Sequence, residues 1–127
     1  MTILVTGASH GIGLFLCKEF AAQGHSIFGT YHKTLPTTDV QVNYTQVDIS
    51  NEDSVISWIK SIDFKDSEKF VLLNCAGINY NSQIHKSDTP MWKAVIEVNL
   101  LGVYFTLKHI VPIMRSMKGG RIVNFAS

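Results

Sequence analysis

Short apolar runs alternate with amphipathic stretches along this chain, and that alternation predicts βαβ units built on a parallel sheet. The apolar runs predict five strands, over residues 3–6, 26–31, 40–48, 70–74 and 121–126. The run "FVLLN" at 70–74 is apolar at every position but the last, which is typical of a strand buried on both faces. The pattern therefore predicts an α/β fold.

Residues with helical spacing separate the predicted strands. A first helix is expected between residues 11 and 24. Its apolar stripe is formed by Ile12, Phe15, Leu16 and Phe20. A second helix is expected to begin at a capping box formed by Ser50 and Asp53. A long helical region follows Pro90 and runs to residue 117, and Pro112 inside it is expected to divide it into two pieces.

Composition narrows the classes of function. The 127 residues carry a formal net charge of +1, and 46% of them are hydrophobic and 17% charged, as in an ordinary single soluble domain. Because no run of Lys or Arg is long enough to attract a polyanion, neither a nucleic-acid nor a membrane partner is expected. The N-terminus lacks the pattern of a secretory signal, so a cytoplasmic location is expected.

The two cysteines, Cys17 and Cys75, are far apart in the sequence. They form no C-x-x-C pair, and no histidine stands near either of them at the spacing of metal ligands. We therefore expect two thiols in a reducing compartment, with neither a disulfide framework nor a metal site.

A glycine-rich segment, "TGASHGIG" at residues 6–13, joins the first strand to the first helix, and we call it the glycine loop. Glycines let a backbone approach a pyrophosphate closely, and the helix behind them offers unpaired N–H groups and a partial positive charge. Tight strand-to-helix turns also need glycine for conformational reasons alone, so the loop by itself leaves both readings open. The candidate pyrophosphate-binding residues are Gly7, Ser9, His10, Gly11, Ile12 and Gly13.

Four further motifs stand in the order and structural places of one family. They are "VDIS" at 47–50, "NCAG" at 74–77, "VNLLG" at 98–102 and "GRIVNFAS" at 120–127. Together with the glycine loop they resemble the short-chain dehydrogenase/reductase family, classical type. The resemblance implies a Rossmann-type doubly wound parallel sheet, truncated here after the fifth strand, and an NAD(P)-dependent oxidoreductase. Residues 1–127 would be the NAD(P)-binding, N-terminal half of it. Cys75 departs from the family, which more often has Asn there.

The resemblance also implies roles for the residues that follow the third and fourth strands. Asp48 and Ile49 would border the adenine, with the carboxylate accepting from its exocyclic amine. Asn74, Ala76 and Gly77 would form the turn that supports the first strand and lies against the ribose on the nicotinamide side. Small residues are needed there because the cofactor and the backbone pass closely.

Two residues match the family's catalytic positions. By resemblance, Asn99 holds a water for proton relay, and Ser127 donates a hydrogen bond to the substrate oxygen. The family's Tyr-x-x-x-Lys is expected after Ser127, so the 127 residues alone are expected to be inactive. A local match, Tyr104 with Lys108, precedes the serine and is expected to be a packed tyrosine and an outward lysine rather than a catalytic pair.

The end of the second strand, "GTYHKT", bears on the choice of nicotinamide cofactor. NAD-preferring Rossmann proteins place an acid there for the ribose hydroxyls, and this segment has none. Tyr31, His32 and Lys33 are therefore candidate cofactor-binding residues, with the last two meeting a 2′-phosphate. By resemblance His10 stands where NADP-preferring relatives often have Arg. NADP is favoured over NAD.

The predicted activity interconverts a small-molecule carbonyl and a secondary alcohol, and the full-length form is expected to be a homo-oligomer. The first alternative is a non-catalytic nucleotide-binding module or decayed gene product of the same fold. The second is a sugar-nucleotide epimerase or dehydratase, whose usual G-x-x-G-x-x-G loop this sequence lacks. The substrate itself is not predicted, because the family's specificity segment follows residue 127.

Overall fold

A computed structural model describes residues 1–64 and 69–126. Its strands are β1 (Thr2–Thr6), β2 (Ser26–Tyr31), β3 (Asn43–Gln46), β4 (Phe70–Asn74) and β5 (Arg121–Asn124). Its α-helices are α1 (Gly11–Ala22), α2 (Glu52–Lys60), α3 (Thr89–Ile96) and α4 (Gly102–Ser116). A short 3-10 turn, Ile84–Lys86, precedes α3, and a π-helical turn, Glu97–Leu101, joins α3 to α4.

The five strands form one parallel sheet in the order β3-β2-β1-β4-β5. β1 lies in the middle, with Val5 paired to Gly29 of β2 on one side and to Leu73 of β4 on the other. The chain first builds the sheet outward from β1 through β2 and β3, then returns to add β4 and β5 on the opposite side. This order confirms the predicted Rossmann-type arrangement.

Alternating side chains of the central strands point to two hydrophobic cores, one on each face of the sheet. On one face Ile3 and Val5 pack with Cys17 of α1. On the other face Leu4 packs with a cluster from α2 and α4 that includes Trp58 and Ile110. The sheet is therefore covered by helices on both faces, which explains why the β1 and β4 sequences are almost continuously apolar.

The first helix buries only half of the stripe that its periodicity predicts. Leu16 and Phe20 pack against the core, whereas Ile12 and Phe15 are 57% and 60% exposed. Gly13 and Cys17 are buried in their place. The close approach of α1 to β1 decides this rotation, because the face with the smallest side chains comes nearest to the sheet. β3 is also shorter than the predicted strand at residues 40–48. The N-cap of α2 is Asn51 rather than the predicted Ser50, and Asn51 Oδ1 accepts from Ser54 N–H at 3.0 Å.

The long helical region is interrupted at a different place from the one predicted. α4 runs through Pro112 without a break, and the interruption is the π-helical turn at Glu97–Leu101. Pro112 has no N–H to donate to the Lys108 carbonyl, and both residues are exposed, so water can reach this part of the helix. The whole region Thr89–Ser116 is 28 residues long and apolar enough to cross a membrane by length and composition, a test that core helices of soluble proteins also meet.

Candidate functional site

The carboxyl ends of the parallel strands meet at one edge of the sheet, where the strand order reverses between β1 and β4. Two cavities open along this edge, and they share Ala76, Gly77 and Ile78 as a common wall. The inner cavity, about 110 Å³, is lined besides by Gly7, Ser9, His10, Thr30, Tyr31, His32, Val47, Asp48, Ile49 and Val98. The outer cavity, about 490 Å³, is lined besides by Ile12, Cys75, Asn79, Asn99, Val103, Phe125 and Ala126. The two cavities are therefore adjacent, and we call them together the cleft.

The glycine loop is packed too tightly against its surroundings to carry side chains at two of its positions. Gly7 has a φ of +66°, and a Cβ there would lie 2.6 Å from the Cα of Ala76. A Cβ on Gly13 would collide with the carbonyl of Gly7. Gly11 differs, because a Cβ there would meet no atom within 4 Å. The loop is thus closed towards β4 and open on the side where α1 begins.

Within residues 1–64 and 69–126, no N-cap side chain bonds to the first turn of α1. His10 is the N-cap residue, its side chain makes no capping hydrogen bond, and the first turn contains no acidic residue. The Nδ1 atom of His10 lies instead 3.0 Å from Ser9 Oγ. An uncapped helix start carries unpaired N–H groups and a partial positive charge, so this end of the cleft suits an anion.

Asp48 follows β3 and faces the inner cavity. Its Oδ1 accepts hydrogen bonds from Ser50 N–H at 3.0 Å and from Ser50 Oγ at 2.6 Å. Its backbone N–H donates to Ser54 Oγ at 3.0 Å, which ties the residue to the start of α2. Among the described residues, none donates to Oδ2, so that oxygen is available to accept from a ligand in the cavity.

The turn after β4 is fixed by a buried polar network. Thr6 Oγ1 accepts from the N–H groups of Cys75 and Ala76, both at 3.2 Å. Asn74 Oδ1 accepts from Thr106 Oγ1 at 3.0 Å, and Asn74 Nδ2 donates to Asn124 Oδ1 at 2.8 Å. Thr106 and Asn74 are almost wholly buried, so these bonds have no water to replace them. The network joins β1, β4, β5 and α4 directly beneath the shared wall of the two cavities.

Asn99 lies in the π-helical turn, and its side chain is hydrogen-bonded to the backbone of Ile78 in the shared wall. Its Oδ1 accepts from Ile78 N–H and its Nδ2 donates to Ile78 O, both at 2.8 Å. The amide is therefore engaged on both of its polar atoms. Because an amide oxygen can accept two hydrogen bonds and an amide nitrogen can donate two, the Asn99 side chain keeps the capacity to bind a water beside Ile78.

The two thiols are free, as the sequence predicts, and neither is a reactive group of the site. Cys17 is fully buried and Cys75 is half-buried at the outer cavity. Burial raises the pKa of Cys17 to about 12, with a further contribution from Cys75, and it raises the pKa of Cys75 to about 11. Both thiols therefore stay protonated at neutral pH, and the thiol is not the nucleophilic form.

A family model described as short chain dehydrogenase matches residues 1–127. This chain belongs to that family. A 3-oxoacyl-[acyl-carrier-protein] reductase of Synechocystis sp. is 34% identical over 98% of this chain and 54% of its own length. An NADPH-dependent pterin aldehyde reductase of Arabidopsis thaliana is 31% identical over 99% of this chain and 56% of its own length.

The solved structure described as ElxO with NADP bound is similar to this chain at a TM-score of 0.86 and 26% identity. The match covers 99% of this chain and 55% of that one. This chain thus spans about half the length of the relatives that it matches. The family and the fold expected from the five motifs are both confirmed.

The cleft brings together most of the residues that the sequence singles out as candidate site residues. Four described ones do not line either cavity. They are Gly11, Gly13, Lys33 and Asn74. Gly13 packs against the backbone of Gly7, and Asn74 belongs to the hydrogen-bond network of the turn after β4. Lys33 lies in the exposed loop after β2. Ser127 lies outside the described residues.

Sequence reasoning missed several residues that build the cleft walls. Thr30, Val47 and Val98 line the inner cavity, and Thr6 fixes the turn after β4. Val47 and Val98 open two of the recognised motifs, so those motifs already contained the signal for them. No sequence pattern predicted that Thr30 lines the cavity, because its position beside the glycine loop depends on the pairing of β2 with β1.

The local Tyr-x-x-x-Lys match makes contacts on the surface of α4, and Tyr104 is 52% exposed rather than packed as predicted. Lys108 Nζ lies 2.7 Å from Glu52 Oε1 and 5.8 Å from the centroid of the Tyr104 ring. His109 Nε2 lies 2.8 Å from the same Glu52 oxygen. The lysine therefore links α4 to the first turn of α2, and neither Tyr104 nor Lys108 lines either cavity.

Proposed function

We propose that this chain binds NADP(H) across the two cavities and forms the nucleotide-binding half of an oxidoreductase. The proposed reaction interconverts a small-molecule carbonyl and a secondary alcohol. The observation that carries the proposal is the glycine loop, which is closed against the β4 turn and open at an uncapped helix start, at the point where the strand order reverses.

The lining residues fit a dinucleotide along the length of the cleft. The glycine loop, through Gly7 and Ser9, and the first turn of α1 would hold the pyrophosphate. Asp48 and Ile49 would border the adenine, and Ala76 and Gly77 would lie against the ribose on the nicotinamide side. When bound, the nicotinamide supplies or accepts the hydride of the reaction.

A preference for NADP rests on the side chains around the inner cavity. His10, Tyr31 and His32 line it, and Lys33 follows directly in the chain. The described acid in its lining is Asp48, whose Oδ1 is held by Ser50. Histidine and lysine side chains favour a 2′-phosphate, whereas an acid at the end of β2 would repel it. A relative described as NADPH-dependent and a structure with NADP bound agree with this preference.

For the chemical step we propose Asn99 and Ser127. Asn99, whose side chain is held by the Ile78 peptide at the shared wall, would hold a water for proton relay, and Ser127 would donate a hydrogen bond to the substrate oxygen. The 127 residues would bind the nucleotide without turning over a substrate, because the family's tyrosine and lysine are not among them. A cytoplasmic location and homo-oligomer formation stay predictions.

The test is a fluorescence titration of the chain with NADPH and with NADH. We expect saturable binding of both and a tighter complex with NADPH, by about tenfold or more, because hydrogen bonds between charged groups contribute about 1.5–3 kcal/mol. A triple variant, His10→Ala with His32→Ala and Lys33→Ala, should narrow the difference between the two nucleotides.

Lys60→Ala is the matched control, since Lys60 lies at the end of α2 and outside both cavities. It should leave both affinities unchanged. Binding of neither nucleotide by folded chain would refute the proposed function. Equal or tighter binding of NADH would refute the preference for NADP while leaving nucleotide binding in place.

A further inference from the structure

Tyr44 lies on β3, two strands away from the glycine loop, yet its side chain reaches that loop. Its hydroxyl donates a hydrogen bond to the carbonyl oxygen of Ala8 at 3.1 Å. β2 lies between the two strands, and Gly29 is the residue over which the contact passes. A Cβ on Gly29 would lie 2.8 Å from Ala8 Cβ and 3.3 Å from Tyr44 Cε1. The absence of a side chain on β2 therefore allows Tyr44 to meet Ala8.

Three hydrogen bonds hold this part of the loop from the side of β2 and β3. Ala8 N–H donates to Thr30 O at 2.8 Å, and Gly7 N–H donates to Thr30 Oγ1 at 3.1 Å. The bond from Tyr44 is the one that engages the Ala8 carbonyl. In a trans peptide the carbonyl and the following N–H point in opposite directions, so this bond fixes the direction of the Ser9 N–H.

Ser9 lines the inner cavity, and its N–H is one of the backbone donors of the glycine loop. We infer that Tyr44, which lines neither cavity, is a positioning residue that orients the Ser9 peptide for the pyrophosphate of a bound nucleotide. The inference rests on the proposed function. Tyr44 acts through Ala8 and does not itself touch the nucleotide.

The surroundings of Tyr44 keep its hydroxyl protonated, as a hydrogen-bond donor must be. Burial raises the pKa of the Tyr44 phenol to about 12, with a smaller contribution from Cys17, so the hydroxyl keeps its proton at neutral pH. The Tyr44 ring also packs edge-on against Tyr31, with the ring centroids 6.4 Å apart. Tyr31 lines the inner cavity as well, so the ring and the hydroxyl support two neighbouring walls.

Tyr44→Phe separates these contributions, because it removes the hydroxyl and keeps the ring against Tyr31 and Gly29. We expect the affinities for NADPH and NADH to fall together by about fivefold, the value of one hydrogen bond, while their ratio stays unchanged. Hydrogen exchange of the chain without nucleotide should show faster exchange at the amides of residues 8–10. Replacing Tyr44 by 4-aminophenylalanine, which restores a donor, should recover both readouts.

Tyr80→Phe is the matched control. Tyr80 OH accepts a hydrogen bond from Asp88 N–H at 2.8 Å in the segment before α3, so this variant removes a comparable bond away from the glycine loop. Unchanged affinity and unchanged loop exchange in Tyr44→Phe would overturn the inference, as would weakened binding of NADPH alone. If the wild-type chain binds neither nucleotide, the proposed function fails, and the exchange readout still decides whether Tyr44 orients the loop.

Discussion

The two cavities of the cleft differ in how completely the described residues build their walls. The inner cavity lies at the carboxyl ends of β1, β2 and β3, and its wall residues Gly7, Thr30 and Asp48 are held by hydrogen bonds. The outer cavity lies beside β5, where Ile12 and Phe125 are 57% and 42% exposed. The difference teaches that hydrogen bonds between adjacent elements close a wall, whereas apolar side chains without such neighbours leave it open to solvent.

The largest effect should come from breaking the inner wall with Gly7→Ala. The new methyl group would lie against the backbone of Ala76, and alanine is disfavoured at a φ of +66°. We expect a loss of about 2–5 kcal/mol in the free energy of unfolding and no detectable nucleotide binding. Urea denaturation and the NADPH titration measure these effects.

Gly24→Ala is the control for that variant. Gly24 has a φ of +86°, but a Cβ there would meet no atom within 4 Å. It should therefore lose about 1–2 kcal/mol for the backbone conformation alone and keep its nucleotide affinity. Equal losses of stability in the two variants would show that close packing of the glycine loop does not matter.

Thr106→Val tests the network that joins the two cavities. Valine has nearly the same shape as threonine, but it leaves Asn74 Oδ1 buried without its donor. We expect the free energy of unfolding to fall by about 1–3 kcal/mol. Thr106→Ser keeps the hydroxyl and should recover most of that loss. If Thr106→Val and wild type have the same urea midpoint, the network does not stabilise the β4 and β5 ends.

Lys118→Gly acts far from both cavities and should stabilise the chain. Lys118 has a φ of +58° at the end of α4, a conformation that glycine adopts without steric cost. We expect a gain of about 0.5–1 kcal/mol in the free energy of unfolding, because glycine's greater freedom in the unfolded chain offsets part of the relief. Lys118→Ala removes the charge but keeps the side-chain clash, so it should give no such gain. Nucleotide affinity should be unchanged in both variants.

The smallest effect should be that of Glu52→Gln, and it should depend on pH. The pKa of Glu52 is lowered first by its hydrogen bond to Lys108 and then by that to His109. A lowered pKa in the folded chain contributes stability above the ordinary value of 4.5, and this stability is lost as the pH falls through the folded value. The variant should therefore have a lower urea midpoint at neutral pH, and the difference should vanish in acid. A difference that stays constant with pH would contradict this assignment.

The sequence predicted the elements and the location of the cleft because glycines, apolar periodicity and motif order are local signals. Contacts between elements distant in the chain were not predictable in the same way. Tyr44 meets Ala8 only because β2 and β3 pair in one particular register, and Asn99 reaches Ile78 only because a π-helical turn rotates it. The rotation of α1 that exposes Phe15 likewise depends on helix-to-sheet packing, which periodicity alone does not set.

The lack of a side chain at Gly29 has a consequence for genetics as well as for packing. In a random mutagenesis screen for loss of nucleotide binding, substitutions at this residue should be recovered alongside those of the glycine loop itself, although Gly29 lies under the loop and lines neither cavity. Such alleles would report on the path between Tyr44 and Ala8 rather than on ligand contact.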